Sequence, residues 1–119
     1  MPESLYEVHK KFEELQPHLF DVVNGVQDGK EIRLAALEKV QRLSSELTAL
    51  VKGHELVPRY VLQSLNQAAG VLESSAPYMP TAADQQKALA ISHAVQWTFS
   101  LILLGECHED RKSGVPRIF

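Results

Sequence analysis

The chain has 119 residues, of which 45% are hydrophobic, and a formal net charge of −3 from 15 acidic and 12 basic residues. This length and hydrophobic content fit one domain with an apolar core of its own. The small negative charge gives no general attraction to a phosphate backbone, so we expect no nucleic acid as a partner. The single cysteine, Cys107, cannot form an internal disulfide, which favours a reducing compartment.

The opening residues, Met1-Pro2-Glu3-Ser4, lack the basic and continuous apolar regions of a secretory signal. The most apolar stretch, residues 95–104, is shorter than the roughly 20 residues that a membrane-spanning helix needs. We therefore expect a cytoplasmic protein without a membrane partner.

The first predicted helix carries apolar residues at alternating spacings of three and four, which is the heptad pattern of a buried helix face. These residues are Leu5, Val8, Phe12, Leu15, Leu19, Val22 and Val26. Pro17 interrupts the pattern, so the helix is either kinked or split there. The kinked helix is favoured, because the apolar spacing continues past Pro17 without a shift.

The second predicted helix runs from about Gly29 to Lys52. Asp28 and Glu31 form an N-cap pattern at its start, and Gly53 is predicted to close its C-terminus in the left-handed conformation. Its apolar positions are Leu34, Leu37, Val40, Leu43, Leu47 and Leu50. This helix is richer in basic residues and the first in acidic ones, so the two are expected to attract.

The third helix is predicted to have Pro58 at its first position and to stop before Pro77 and Pro80. Thr81 is predicted to cap a fourth helix that continues toward Cys107. Short connections predict an all-α fold, an antiparallel four-helix bundle. We assign residues 1–112 to this single domain and residues 113–119 to a short extended C-terminal tail.

From Val95 onward, the apolar residues of the fourth helix point in nearly every direction. The helix is therefore either the central helix of the bundle or packed against a second subunit. The tail carries Val115, Ile118 and Phe119, which need burial too. They either fold back over their own bundle or insert into a partner.

These patterns favour a non-enzymatic protein–protein interaction or regulatory bundle, of adaptor, inhibitor or immunity type. The specific form of this hypothesis is a homodimer formed through the fourth helix and the tail. The apolar residues predicted to anchor the interface are Trp97, Leu101, Leu104, Ile118 and Phe119. The charged residues predicted to surround them are Glu106, Glu109, Asp110 and Arg117.

The alternative is a bundle that binds a small molecule near His93 and Trp97, which lie four residues apart and share a helix face. A polar residue satisfied within the core is the commoner role for such a histidine. We expect no cofactor and no metal, because Cys107 and His108 lack a second Cys or His pair at metal-binding spacing. An enzyme would need one of these two residues to meet His54 or an acid from another helix.

Overall fold

The computed structural model describes residues 3–108, and within this range it contains helices and no strand. The four α-helices are α1 (Glu3–Gln27), α2 (Leu34–Val51), α3 (Arg59–Ser75) and α4 (Ala82–Leu104), with a 3₁₀ turn at Ala76–Tyr78 between α3 and α4. The prediction of an all-α fold with four helices is confirmed. The predicted domain boundary at residue 112 and the tail lie outside the described residues.

α1 is one helix that continues through Pro17 and is not split there. A proline inside a helix removes one backbone hydrogen bond and costs about 3 kcal/mol. Burial of the apolar face on both sides of the proline offsets this cost. Its fully or almost fully buried residues are Val8, Phe12, Leu15, Leu19, Val22 and Val26.

α2 begins at Leu34, so the prediction that it starts near Gly29 was wrong. The backbone N–H of Asp28 donates to a carbonyl oxygen of α1, which continues the hydrogen bonding of that helix. The carboxylate of Glu31 does not cap α2 but accepts a hydrogen bond from Nε of Arg33 at 3.1 Å. The capping residues predicted from the sequence thus belong to the connection between the helices.

Two ion pairs join α1 to α2 and to the residue directly before it. The guanidinium of Arg33 binds Asp21 by passing over Gly25, where a Cβ atom would lie 2.9 Å from Cγ of Arg33. Lys11 binds Glu46, with 3.0 Å between Nζ and Oε1. The first pair has the charges expected for an acidic first helix and a basic second one, whereas the second pair has them reversed.

The ends of α3 match the prediction to within two residues. Arg59 opens the helix directly after Pro58, and the helix ends at Ser75, two residues before Pro77. Its buried residues are Val61, Leu65, Ala68, Ala69, Leu72 and Ser75.

α4 begins as predicted, because the hydroxyl oxygen of Thr81 accepts a hydrogen bond from the backbone N–H of Asp84 at 3.0 Å. It ends at Leu104 and does not continue toward Cys107, which corrects the predicted C-terminus. Gly105 follows with a φ of 71°. This left-handed conformation favours glycine and ends the helix.

The helices pack as two close pairs, α1 with α2 and α3 with α4, and α1 also packs against α3. The contact between α2 and α4 is the weakest of these four. α4 is therefore not enclosed on all sides, contrary to the expectation of a central helix. One side of α4 packs into the bundle, and another borders an opening toward α2.

Candidate functional site

The surface of α4 is unusual because it carries no charged side chain over most of its length. Residues 88–105 contain no Asp, Glu, Lys or Arg. Trp97 and Leu104 are nevertheless 40% and 46% exposed, and Leu103 is 60% exposed. A helix side that faces water normally carries charged or polar residues. Apart from the polar His93 and Gln96, the exposed residues of this stretch are alanine, leucine and tryptophan, a composition closer to that of an interface.

Four exposed residues of α4 are spaced by seven and form a line along the helix: Ala83, Ala90, Trp97 and Leu104. We call these four residues the heptad row. Positions seven apart drift by only about 20° around an α-helix, so they point in nearly the same direction. The row consists of two small residues followed by two large ones.

Only some of the residues predicted as apolar anchors are exposed. Trp97 and Leu104 are exposed on α4, whereas Leu101 is 0% exposed and cannot be a surface anchor. The chain reverses after α4, and the backbone N–H of Glu106 donates to the carbonyl oxygen of Leu101 at 2.9 Å. The segment that follows α4 therefore packs against its last turn on the side where Leu101 is buried. Leu103, which is exposed, was not predicted.

The charged residues predicted around these anchors lie mostly beyond the described range. Glu106 is half-buried just after α4. The remaining predicted interface residues, Glu109, Asp110, Arg117, Ile118 and Phe119, lie outside the described residues.

His93 and Trp97 are both exposed, so His93 does not have the core position expected for a satisfied buried histidine. The cavities that border α4 beside α2 are lined by other residues of the helix. The structure therefore does not place these two residues around an enclosed space. They lie on the surface that also carries the heptad row.

An apolar groove, which we call the α2–α4 groove, lies between the two weakly packed helices. It consists of two adjoining cavities of about 170 Å³ and 310 Å³. Leu37 and Gln41 of α2 and Ile91 and Ala94 of α4 line both cavities. Apolar clefts with a few polar groups are the usual form of binding sites.

The segment after α4 crosses one end of this groove. The backbone N–H of Gly53, which has the predicted left-handed φ of 79°, donates to the carbonyl oxygen of Gly105 at 3.2 Å. The backbone N–H of His108 donates to Oγ1 of Thr48 at 3.4 Å, and its ring Nε2 lies 3.2 Å from Oγ1 of Thr98. The last described residue is thus held between α2 and α4.

Burial lowers the pKa of His108 from its ordinary value of 6.5. The unfolded chain therefore binds the proton more readily than the folded one. The stability that depends on neutral His108 is fully present above about pH 6.5 and is lost as the pH falls from there through the folded pKa.

We expect His108→Gln to show a smaller loss of unfolding free energy than the unaltered chain between pH 7 and pH 5. Urea unfolding at a series of pH values measures this. His54→Gln, at an exposed position, is the matched control for loss of an imidazole. An unchanged pH dependence in His108→Gln would contradict the assignment.

A second cluster, which the sequence did not reveal, joins α1 to α3. Nδ1 of His9 is hydrogen-bonded to the hydroxyl of Tyr60, and Nε2 of His9 lies 2.7 Å from Oε1 of Glu13. The rings of Phe12 and Tyr60 meet edge-on at a centroid distance of 5.5 Å. The spacing of His9 and Glu13 was visible in the sequence, but Tyr60 is 51 residues from His9.

This cluster has the order carboxylate, imidazole, hydroxyl, which also occurs in nucleophilic enzymes. Burial, with a smaller contribution from the charge of Glu13, raises the pKa of the Tyr60 phenol above its ordinary value of 10. A raised pKa is the opposite of what an activated nucleophile needs. The geometry instead supports a structural link between α1 and α3.

The residues considered for an enzyme differ in their surroundings. Cys107 is buried, His54 is exposed, and His108 binds Thr48 and Thr98 rather than an acid. Within residues 3–108, the structure contains no group of three or more His, Cys, Asp or Glu side chains arranged to hold a metal.

α4 is long and apolar enough to cross a membrane by length and composition alone, with a mean hydropathy of 1.3 in its most apolar window. The apolar part of α4 is longer than the residues 95–104 from which a short stretch was expected, because it includes the alanines before them. Core helices of globular proteins pass the same test, and 39% of this window is buried within the fold.

Comparison of the chain with protein-family models, with curated proteins and with solved structures found no match. The surface of α4 and the α2–α4 groove are the features of the described residues that bear on function.

Proposed function

We propose that this chain is a non-enzymatic protein-interaction module that forms a homodimer through antiparallel pairing of α4. The observation that carries the proposal is the heptad row, which is exposed, uncharged and ordered small, small, large, large along the helix. A symmetric dimer brings the same surface of both chains together. In an antiparallel pair, the side chains of the row must therefore be complementary in size to those of the same row read in the opposite direction.

The order of residues in the heptad row meets this condition. An antiparallel pair centred between His93 and Ala94 sets Trp97 of one chain against Ala90 of the other. The same axis sets Leu104 against Ala83. Each large side chain then faces an alanine, which is the alternation of sizes that packs two helices closely. Parallel pairing would set Trp97 against Trp97 and leave a gap between the alanines.

The chemistry of the surface supports the same partner. Burying an unpaired charge in an interface is costly, and residues 88–105, which hold three of the four members of the row, bring none. Asp84 and Lys87 lie only at the outer end of the pairing, in the turn next to Ala83. Tryptophan is among the residues that contribute most to binding when they are buried at the centre of an interface. Trp97 has this position in the proposed dimer, because it and Ala90 are the two central members of the row.

The test exchanges the sizes of the two central residues. We expect Trp97→Ala to weaken dimerisation by roughly 1,000-fold, since the symmetric dimer loses two central tryptophans at about 2 kcal/mol each. Ala90→Trp is also expected to weaken it, because two tryptophans would then collide. The double variant, Ala90→Trp with Trp97→Ala, restores one large and one small residue at each contact and should recover the dimer.

Light scattering of the eluting protein over a range of concentrations gives the molar mass of each variant. Ala49→Trp places the same substitution on the exposed surface of α2 and is the control. A chain that has the mass of one copy at every concentration overturns the dimer. A double variant that is weaker than both single variants overturns the antiparallel pairing.

The small-molecule site near His93 and Trp97 has no supporting observation, because both side chains are exposed and the cavities beside α2 are lined by other residues. His93 flanks the heptad row and Trp97 is a member of it. Both residues therefore belong to the surface assigned to the dimer.

A further inference from the structure

The heptad row and the α2–α4 groove share one residue, Ala90. It is the second member of the row, and it also lines the 310 Å³ cavity of the groove. The other members, Ala83, Trp97 and Leu104, line neither of the two cavities of the groove. The surface assigned to the dimer and the groove are therefore continuous at one point along α4.

The proposed pairing brings a tryptophan to this point. The axis between His93 and Ala94 sets the partner's Trp97 against Ala90, whereas the partner's Leu104 lies against Ala83. Of the two large side chains of the row, only that of Trp97 thus reaches a residue that lines the groove. A symmetric dimer makes this contact twice, once on each chain.

The α4 side of the 310 Å³ cavity leaves room for a side chain that enters from the partner. Two of the α4 residues that line it, Ala90 and Ala94, are exposed alanines. An alanine side chain ends at Cβ, so neither residue closes the cavity toward the heptad row. Because packed helices lie about 8–10 Å apart, a long side chain of the partner can pass over Ala90 toward the wall formed by α2.

The lining of this cavity suits an indole ring. On the side of α2 its walls are aliphatic, with Ile32, Leu34 and Leu37. Gln41 also lines it, and its amide oxygen can accept the hydrogen bond that the N–H of a buried tryptophan usually makes. Among the described residues that line the cavity, Lys87 is the only charged one. A lysine ammonium is attracted to the face of an aromatic ring, and most strongly to that of tryptophan.

The size of the cavity fits as well. Its volume of about 310 Å³ lies at the lower end of the range of about 300–1,000 Å³ that is usual for ligand pockets. A large aromatic side chain fills such a space better than an alanine or a leucine does. An apolar opening of this kind is also one that proteins commonly cover with a partner.

We propose that the partner's Trp97 inserts into the 310 Å³ cavity, so that each chain of the dimer holds the tryptophan of the other between α2 and α4. This inference rests on the proposed dimer and adds a second contact surface to it, the wall formed by Leu34 and Leu37. In a dimer held by α4 alone, these two leucines take no part.

Nuclear Overhauser effects (NOEs) between the two chains test the insertion directly. Trp97 is the only tryptophan of the chain, so its indole protons are identified without ambiguity. Isotope-labelled and unlabelled chains are mixed, and only NOEs between a labelled and an unlabelled chain are selected. We expect NOEs from the indole of one chain to the methyl groups of the partner's Leu34 and Leu37. Indole NOEs to the partner's Ala90 without any to these leucines overturn the insertion.

A pair of leucine variants provides a second test with a matched control. Leu34 is 68% exposed and lines the cavity, whereas Leu56 is 72% exposed and lines neither cavity of the groove. Leu34→Ala is expected to weaken dimerisation roughly tenfold, because both inserted tryptophans lose apolar contact. Leu56→Ala removes the same atoms and should leave dimerisation unchanged. Equal dimerisation of the two variants overturns the insertion.

The molar mass of the unaltered chain separates failure of this inference from failure of the proposed dimer. Light scattering over a range of concentrations gives this mass. The mass of one copy at every concentration overturns the dimer and the insertion together. The mass of two copies, with indole NOEs to α4 only or with equal dimerisation of the two leucine variants, overturns the insertion alone.

Discussion

Replacing Phe12 by alanine is expected to lower the free energy of unfolding by about 3–5 kcal/mol, the usual cost of removing a buried phenylalanine ring. Phe12 is 0% exposed and meets the ring of Tyr60 edge-on, so the change opens a cavity where α1 packs on α3. Domains of this size are stable by about 5–15 kcal/mol, so the variant loses a large part of its stability. Urea unfolding at fixed protein concentration measures the loss.

Phe20→Ala is the matched control, because Phe20 lies on the same helix and is 50% exposed. Half of the ring is already in water, so the expected loss is about 1 kcal/mol. Equal losses in the two variants would show that the junction of α1 and α3 is not packed as described.

The helices of this fold were predictable because most of them are amphipathic. In α1, the spacing of three and four continues across Pro17, and the core indeed buries that face on both sides of it. The hydroxyl cap at Thr81 was predictable for another reason, since its partner Asp84 is only three residues away. Both signals are local in the chain.

The start of α2 was not predictable in the same way. Asp28 and Glu31 have the spacing of a capping pair, but Glu31 binds Arg33 instead. Arg33 in turn reaches Asp21 of α1 across Gly25, a contact over twelve residues. A tertiary ion pair thus takes the place of the local capping interaction. The spacing of the residues in the sequence does not predict this ion pair.

The candidate site was predictable only in outline. Because α4 is apolar in nearly every direction, its sequence has no periodicity that separates the core side from the outer side. The sequence therefore places Trp97 and Leu101 on the same surface, although the fold exposes the first and buries the second. The α2–α4 groove depends on how two helices distant in sequence are spaced, which no local pattern records.

Leu101→Ala is expected to lower mainly the stability of the fold, and Leu104→Ala is expected to weaken mainly the dimer. Leu101 is 0% exposed, so its truncation should lower the free energy of unfolding by about 2–5 kcal/mol. Leu104 is 46% exposed, and its truncation should cost at most about 1 kcal/mol. In the proposed dimer Leu104 faces Ala83, so Leu104→Ala leaves a gap and should weaken self-association roughly fivefold.

The two variants separate a role in folding from a role in the interface, because both remove the same atoms from the last turn of one helix. Urea unfolding is compared at one fixed concentration, since dimerisation itself adds to apparent stability. Folded Leu101→Ala should still dimerise, because Leu101 is not in the heptad row. If Leu101→Ala instead loses the dimer at full stability, the interface lies on the side of α4 that the structure buries.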